Sequence, residues 1–286
     1  MLKLTIPSRN IVTRASARSG RRSISLVLTL TFGLVAHAKA QVLDDFVDQL
    51  STLESVHVEA HATLRLTMDG VTRSGNGSFS YWEQGDWYRI SSSVSEPLKL
   101  LSELEYSFDG DHSRIWLKNE NTIVKNTSQD ESTPTAIPNP FFLATSFLIG
   151  EGCPACRISV GLVKGARGYM SESSDESGGL SVGNTQFNRD FLVEMSAVEG
   201  MDVPSKISWV DGTFDADVEV LLEDYELTNG LLWPTTLTMK STGRSSDFST
   251  HIRYLIKTFD VNEAYPKEVF MMNGDEDTTF FEAPGE

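Results

Sequence analysis

From Val56 to Met68 the chain alternates without a break: Val56, Val58, Ala60, Ala62, Leu64, Leu66 and Met68 are separated by His57, Glu59, His61, Thr63, Arg65 and Thr67. A spacing of two puts the apolar set on one face of an extended strand and the polar set on the other. A strand this long with one dry face must lie in a sheet whose other members are dry on the same side. Asp69-Gly70 supplies the turn that follows.

The neighbouring segments fit such a sheet. Gly77 to Trp82 reads as a strand, turned by Gln84-Gly85-Asp86 into Trp87 to Ile90. Glu105 to Phe108 and Ser113 to Leu117 form a hairpin about Asp109-Gly110-Asp111. Strands follow at Phe191–Met195, Lys206–Val210, Asp217–Tyr225, Leu231–Thr242 and Ser249–Phe259, and Asn229-Gly230 is the strongest short hairpin signal in the chain. Connections this short make the strands antiparallel neighbours.

Two segments have helical character. Val42, Leu43, Phe46, Val47, Leu50 and Leu53 recur at the period of an amphipathic helix. Pro140 to Ile149 is a dense apolar run that reads as a buried or lid helix. Between the strands, 128–140 is polar with three prolines and reads as a loop, and the acidic, serine-rich 171–186 has almost nothing to bury and reads as a mobile loop. The expectation is an α+β fold: roughly ten strands in one large, curved antiparallel sheet, with two or three helices covering it. The tail after Phe281 is expected to fray.

The N-terminus reads as an address. Residues 1–22 are basic and polar, an apolar stretch runs from Ile24 to Ala36, and Ala38-Lys39-Ala40 precedes Gln41. That order is a secretory signal peptide with cleavage after Ala40. The apolar run, at about 13 residues, is short against the roughly 20 needed to span a bilayer. The expected mature chain is therefore a single domain, 41–286, periplasmic or secreted, with no transmembrane segment. Removing 1–40 takes away seven basic residues and no acidic one, leaving 17 basic against 40 acidic and a net charge of −23. Nucleic acid and anionic head groups both call for a cationic surface, so the average charge excludes them as partners.

Taken together these elements resemble the LolA/LolB-like periplasmic lipoprotein carriers, the outer-membrane lipoprotein-sorting proteins. The resemblance is carried by the first helix ending in Leu50-Ser51-Thr52-Leu53, the long strand after it, and Gly77-Ser78-Phe79-Ser80-Tyr81. Trp87-Tyr88-Arg89, the hairpin from Phe108-Asp109-Gly110 to Trp116, and the late series Asp224-Tyr225, Asn229-Gly230 and Trp233-Pro234, running on to Asn262 and Phe270, complete it. What it implies is an open half-barrel around a hydrophobic cavity, and a non-enzymatic carrier for a lipid or an acylated protein, working with a cell-envelope protein partner. The acidic body and a middle segment with Cys153 and Cys156 depart from that pattern.

On this reading the cavity wall is Leu64, Leu66, Phe79, Tyr81 and Ile115, with Phe141, Phe142 and Phe147 on the covering helix; the alternative is that all of them fill a core. Cys153-Pro154-Ala155-Cys156 is a C-x-x-C pair. In an exported chain it is expected to form a local disulfide, and the competing reading is a thiol-disulfide oxidoreductase with Cys153 as nucleophile and Cys156 as resolving thiol. A third reading is a cell-envelope interaction module with a filled core. His57 and His61 lie about 13 Å apart on the wet face, too far for one metal, and are expected to be solvated. The acidic runs Asp211–Asp217 and Asp275–Asp277 match no calcium-loop spacing and read as solvated charge. No catalytic residue, metal or cofactor is assigned: no nucleophile elbow, phosphate loop or dinucleotide fingerprint occurs in the chain.

Overall fold

The computed structural model describes residues 43, 45–95, 98, 104–126, 137–149, 170–174, 180–184 and 189–282. Strand β1 (Ser55–Met68) keeps the alternation of its sequence: Val56, Val58, Ala60, Ala62 and Leu64 are buried while His61, Thr63 and Arg65 are exposed. It pairs with β2 (Val71–Gln84) through a two-residue turn in which Asp69 and Gly70 have φ of 51° and 74°. Such a left-handed pair matches the twist of the flanking strands. The meander continues through β3 (Trp87–Val94), β4 (Leu104–Asp109), β5 (Ser113–Leu117) and β6 (Thr122–Asn126).

A second meander runs from β7 (Met170–Ser174) and β8 (Leu180–Asn184) through β9 (Arg189–Val198), β10 (Met201–Asp211), β11 (Ala216–Thr228) and β12 (Leu231–Gly243) to β13 (Ser249–Val261). The seam between the meanders is β1 against β13, in register from Val56↔Val261 to Thr67↔Ser249 with one bulge at Glu59/Ala60. A last strand, β14 (Thr279–Glu282), adds to the free edge of β6. The order is β14-β6-β5-β4-β3-β2-β1-β13-β12-β11-β10-β9-β8-β7, fourteen strands in one sheet that does not close on itself. This is an α+β fold: a large open sheet with two covering helices.

Helix α1 (45–51, with Leu43 also helical) lays Leu43, Phe46, Val47 and Leu50 on the sheet, all at most 3% exposed. Helix α2 (Pro140–Ile149) has no polar face, and every residue from Phe141 to Leu148 is buried. A helix apolar all round belongs inside a core. Its start is specified by Asn139, whose Oδ1 accepts the Phe141 N–H at 2.9 Å and whose carbonyl accepts the Leu143 N–H at 3.0 Å. Proline at the first helical position has no N–H to leave unsatisfied. Thr145 and Ser146 return their hydroxyl hydrogens to the carbonyls of Phe141 and Leu143, so neither introduces an unpaired donor.

Four strands lie where the sequence pattern shows none: β6, β7, β8 and β14. The segment expected to be a mobile loop contains the hairpin β7–β8. Its alternation is carried by Leu180 and Val182, which are 6% and 0% exposed, with Met170 packing against the core at half burial, while Ser171, Glu172 and Ser173 are exposed. Of the tail after Phe281, Glu282 ends the β14 ladder opposite Lys125 and residues 283–286 lie outside the described residues; β14 runs parallel to β6, so the sheet is not wholly antiparallel.

Candidate functional site

The concave face of the sheet is filled differently at its two ends. Near the start of β1, aromatic rings occupy it: Tyr81 packs on Phe141 (centroids 6.4 Å apart), Phe141 stacks on Trp233 (5.1 Å), Trp233 on Phe259 (4.5 Å, planes 3° apart), and Phe46 on Phe147 (6.3 Å). At the other end, where β1, β10 and β12 finish and β11 and β13 begin, the space is a cavity of about 310 Å³.

Its walls come from six strands, β3 among them through Val94, and from the start of α2. Strand β1 gives Leu64 and Leu66, β10 gives Trp209 and Asp211, β11 Val218, β12 Met239 and Ser241, and β13 Thr250 and Ile252. Pro138, Phe142 and Leu143 at the start of α2 form the inner wall, with Val94 and Leu98 beside them. Phe214, in the β10–β11 turn and 69% exposed, and Phe248, in the β12–β13 turn, stand at the mouth.

Opposite Ala62 and Leu64, strand β2 carries Gly77 and Gly75, and the space over them is taken by the side chains of Leu64, Leu98 and Ile137. A Cβ on Gly77 would lie 2.7 Å from the Ser93 carbonyl and 3.3 Å from the Leu64 side chain. Polar atoms are few: Asp211 is spoken for by the N–H groups of Thr213 and Phe214, at 2.8 and 3.3 Å, with Arg189 at 3.9 Å. Tyr254 anchors the start of α2 to β13 by donating to the Pro138 carbonyl at 2.9 Å; complete burial pushes its phenol well above the usual value. Held this way, α2 forms a fixed wall.

Of the residues expected on the wall, Leu64, Leu66 and Phe142 meet at the cavity. Phe79, Tyr81, Phe141 and Phe147 are packed among other side chains in the core, and Ile115, on β5, packs against that core at half burial. Leu98, Trp209, Val218, Met239 and Ile252 line the cavity without having been singled out. The inward side of their strands is legible in the alternation, but which end of that side stays empty is set by packing. Cys153, Cys156 and residues 1–42 lie outside the described residues.

Two expectations about polar groups need correction. His57 is not solvated: its ring stacks on Trp82 at 4.4 Å, its Nδ1 lies 3.3 Å from Asp260 and its Nε2 3.4 Å from Glu59. Trp82 covers the outer face of β1 there, leaving His61 as the exposed one of the pair. Asp211 is buried as a turn cap, not part of a solvated run. Asp275, Glu276 and Asp277 are exposed, as expected of solvated charge, and Asp275 also accepts hydrogen bonds from Asn121 (3.0 Å) and Thr278 (2.8 Å), which hold its carboxyl below the usual range.

Asp109, Asp111 and His112 could bring three ligand atoms within 4.8 Å of one another. Asp109 is already committed to the hairpin, however. One oxygen accepts the N–H groups of Asp111 and His112 at 3.1 and 2.8 Å, and the other takes Arg114 at 2.6 Å. The neighbouring Trp87-Tyr88-Arg89 element is likewise structural: Arg89 and Lys118 both pair with buried Glu105, and Arg89 donates to the Val269 carbonyl at 2.8 Å. Among the described residues no helix is long and apolar enough to cross a membrane.

No protein-family model matches the chain, and neither does any curated protein sequence. Solved structures of similar fold do exist. A domain of a putative outer membrane lipoprotein-sorting protein from Vibrio parahaemolyticus is 10% identical over 80% of this chain and 94% of its own, with a TM-score of 0.47. A DUF1329 family protein from Desulfovibrio piger is 11% identical over 79% and 92%, at 0.42. A LolA superfamily protein from Nitrosomonas europaea is 11% identical over 80% and 97%, at 0.40. The similarity is weak and confined to the fold.

Proposed function

We propose that this chain is an exported, non-catalytic carrier or binding protein that shelters an acyl chain, of a lipid or of an acylated protein, in the cavity between α2 and the ends of β1 and β10–β13. One observation carries this reading: a space of about 310 Å³ inside an apolar wall, reached past two exposed or half-exposed phenylalanines. A dry apolar cavity of about 150 Å³ is enough to take up benzene, so this one has room for a length of alkyl chain. Each methylene moved out of water contributes about 0.8 kcal/mol. Six of them give on the order of 5 kcal/mol before the cost of ordering the ligand, which suits reversible holding.

Export rests on the N-terminal pattern of basic, apolar and small residues. A thiol-disulfide activity of Cys153 and Cys156 has no support from the described residues.

The test is native mass spectrometry of protein purified from its own envelope, beside titration with a fluorescent fatty acid. The expected result is a co-purifying lipid mass and saturable probe binding. Val218→Trp, which places an indole in the cavity, should remove both, and Ser241→Leu, a smaller plug, should weaken the probe. Circular dichroism checks that each variant is folded. Native protein that takes up neither lipid nor probe, or a folded Val218→Trp that binds as well as native, overturns the reading.

A further inference from the structure

The convex face of the sheet holds a feature that the average charge conceals. At the seam of β1 and β13, the outward positions of β13 are His251, Arg253, Leu255 and Lys257, all exposed. Across the ladder, Arg65 stands opposite His251, Thr63 opposite Arg253 and His61 opposite Leu255, again all exposed. Lys240 of β12 extends the Arg65–His251 row. Arg65, Arg253 and Lys257 form no ion pair with any described residue, whereas Lys206 and Lys240 are engaged by Glu194 and Glu219. Three unpaired cations and two histidines thus share one strip of a body whose net charge is −23. On its other flank the strip meets Ser74, Asn76 and Ser78 of β2, which are uncharged. Below it, His61, Lys257, Ser78, Ser80 and Ser91 border a shallow depression of about 270 Å³, together with one carboxylate, Glu59, which accepts from Thr258 at 3.3 Å and lies 3.4 Å from His57.

We propose that this strip docks an extended acidic segment of a partner protein. The spacing selects that occupant. Outward residues on one strand repeat about every 6.8 Å, the same period at which an extended peptide presents alternate side chains. A segment laid along β13 directs every second side chain at the strip, and carboxylates at three of four such positions meet His251 with Arg65, then Arg253, then Lys257 with His61. An apolar side chain falls naturally against Leu255, which is 44% exposed. The depression offers the end carboxylate hydroxyls as well as a cation. A broad anionic surface such as a membrane would bring the acidic remainder of the molecule against like charge, whereas a narrow segment touches only the strip. Apart from Arg65, which also borders the cavity, this surface lies on the side of the sheet opposite the cavity, so it stands whether or not the cavity holds a lipid.

The experiment uses two dye-labelled peptides of about ten residues and equal composition, one with glutamate at alternate positions and one with all glutamates at one end. Binding is read by fluorescence anisotropy at low salt, beside sedimentation with vesicles of phosphatidylcholine and phosphatidylglycerol. The alternating peptide should bind the native protein, more tightly than its isomer, and weaken with added salt. Arg253→Glu with Lys257→Glu, both at exposed positions, should reduce its affinity about tenfold or more. Val218→Trp should bind it as native protein does. The assignment is overturned if the two peptides bind alike, or if charge reversal leaves affinity unchanged. It is equally overturned if vesicles bind through the strip while the peptide does not, or if native protein self-associates through the strip.

Discussion

Helix α2 lies along one sheet, and two consecutive residues of its first turn, Phe141 and Phe142, meet different solutions to the same problem. On the Phe141 side the inward face is closed by rings: Tyr81, Phe141, Trp233 and Phe259 form a continuous stack, and further along the helix Phe46 closes on Phe147. Around Phe142 the sheet presents Leu64, Val218, Met239 and Ile252, and the rings there, Trp209, Phe214 and Phe248, leave a space of about 310 Å³ between them. Both ends are apolar and both are walled by the same strands. Hydrophobicity alone therefore does not distinguish core from cavity here; the volume delivered per ladder position does. Rings stacked on one another fill the depth between sheet and helix, and single rings set among aliphatic residues do not.

The largest expected effect tests the closed end. Trp233→Ala removes the centre of the stack, a side chain 2% exposed between two rings, and should cost about 4 kcal/mol in denaturant unfolding. Met239→Ala, also on β12 but beside the cavity, removes contacts from a side chain that already borders empty space. Its cost should be near the low end of the large-to-small range, about 2 kcal/mol. Equal losses in the two variants would mean that the open end is packed as tightly as the closed one.

Filling gives the opposite contrast. Ala60→Leu at the closed end forces extra methylenes among Phe79 and its neighbours, and overpacking of this kind costs about 1–3 kcal/mol. Ser241→Leu at the open end enters a void, so it should leave thermal stability unchanged or raise it slightly while weakening the fatty-acid probe. A destabilised Ser241→Leu would show that the cavity wall cannot accept volume.

How much of this was readable in the chain follows from which interactions are local. The inward face of β1, the turn at Asn229-Gly230 and the apolar helix at Pro140–Ile149 are written in consecutive residues, because alternation, left-handed turn residues and N-terminal proline act over a few positions. The hairpin β7–β8 was not readable, since of its described side chains only Leu180 and Val182 are buried and neighbouring β9 supplies the rest of the argument. Strand β14 exposes Phe280 and Phe281, 64% and 57%, and is held by its ladder to β6. No periodicity in four residues could announce it. At the candidate site, Leu64 and Leu66 could be placed on the inward face, but not their distance from Met239 and Ile252. The pairing of β1 with β13, which sets that distance, joins residues nearly two hundred positions apart.

The smallest expected effect separates the two ends by pH, through the aspartates that close their turns. Asp109 caps the β4–β5 hairpin beside the closed end, and Asp211 caps the β10–β11 turn at the cavity. Partial burial alone would raise the Asp109 carboxyl, but the His112 and Asp111 N–H groups and the Arg114 guanidinium favour its charged form, and the net shift is downward. A carboxyl lowered in the folded state stabilises the fold at all pH above its unfolded value, and that contribution is lost as pH falls through the folded one. Native protein should therefore begin to lose stability below about pH 4, and Asp109→Asn should flatten that decline. At neutral pH Asp109→Asn should cost about 1 kcal/mol, the net worth of a hydrogen bond to a charged group reduced to a neutral one. Melting curves from pH 3 to pH 7 on the two proteins decide it: parallel acid limbs would mean that the hairpin cap does not contribute to the acid sensitivity of the closed end.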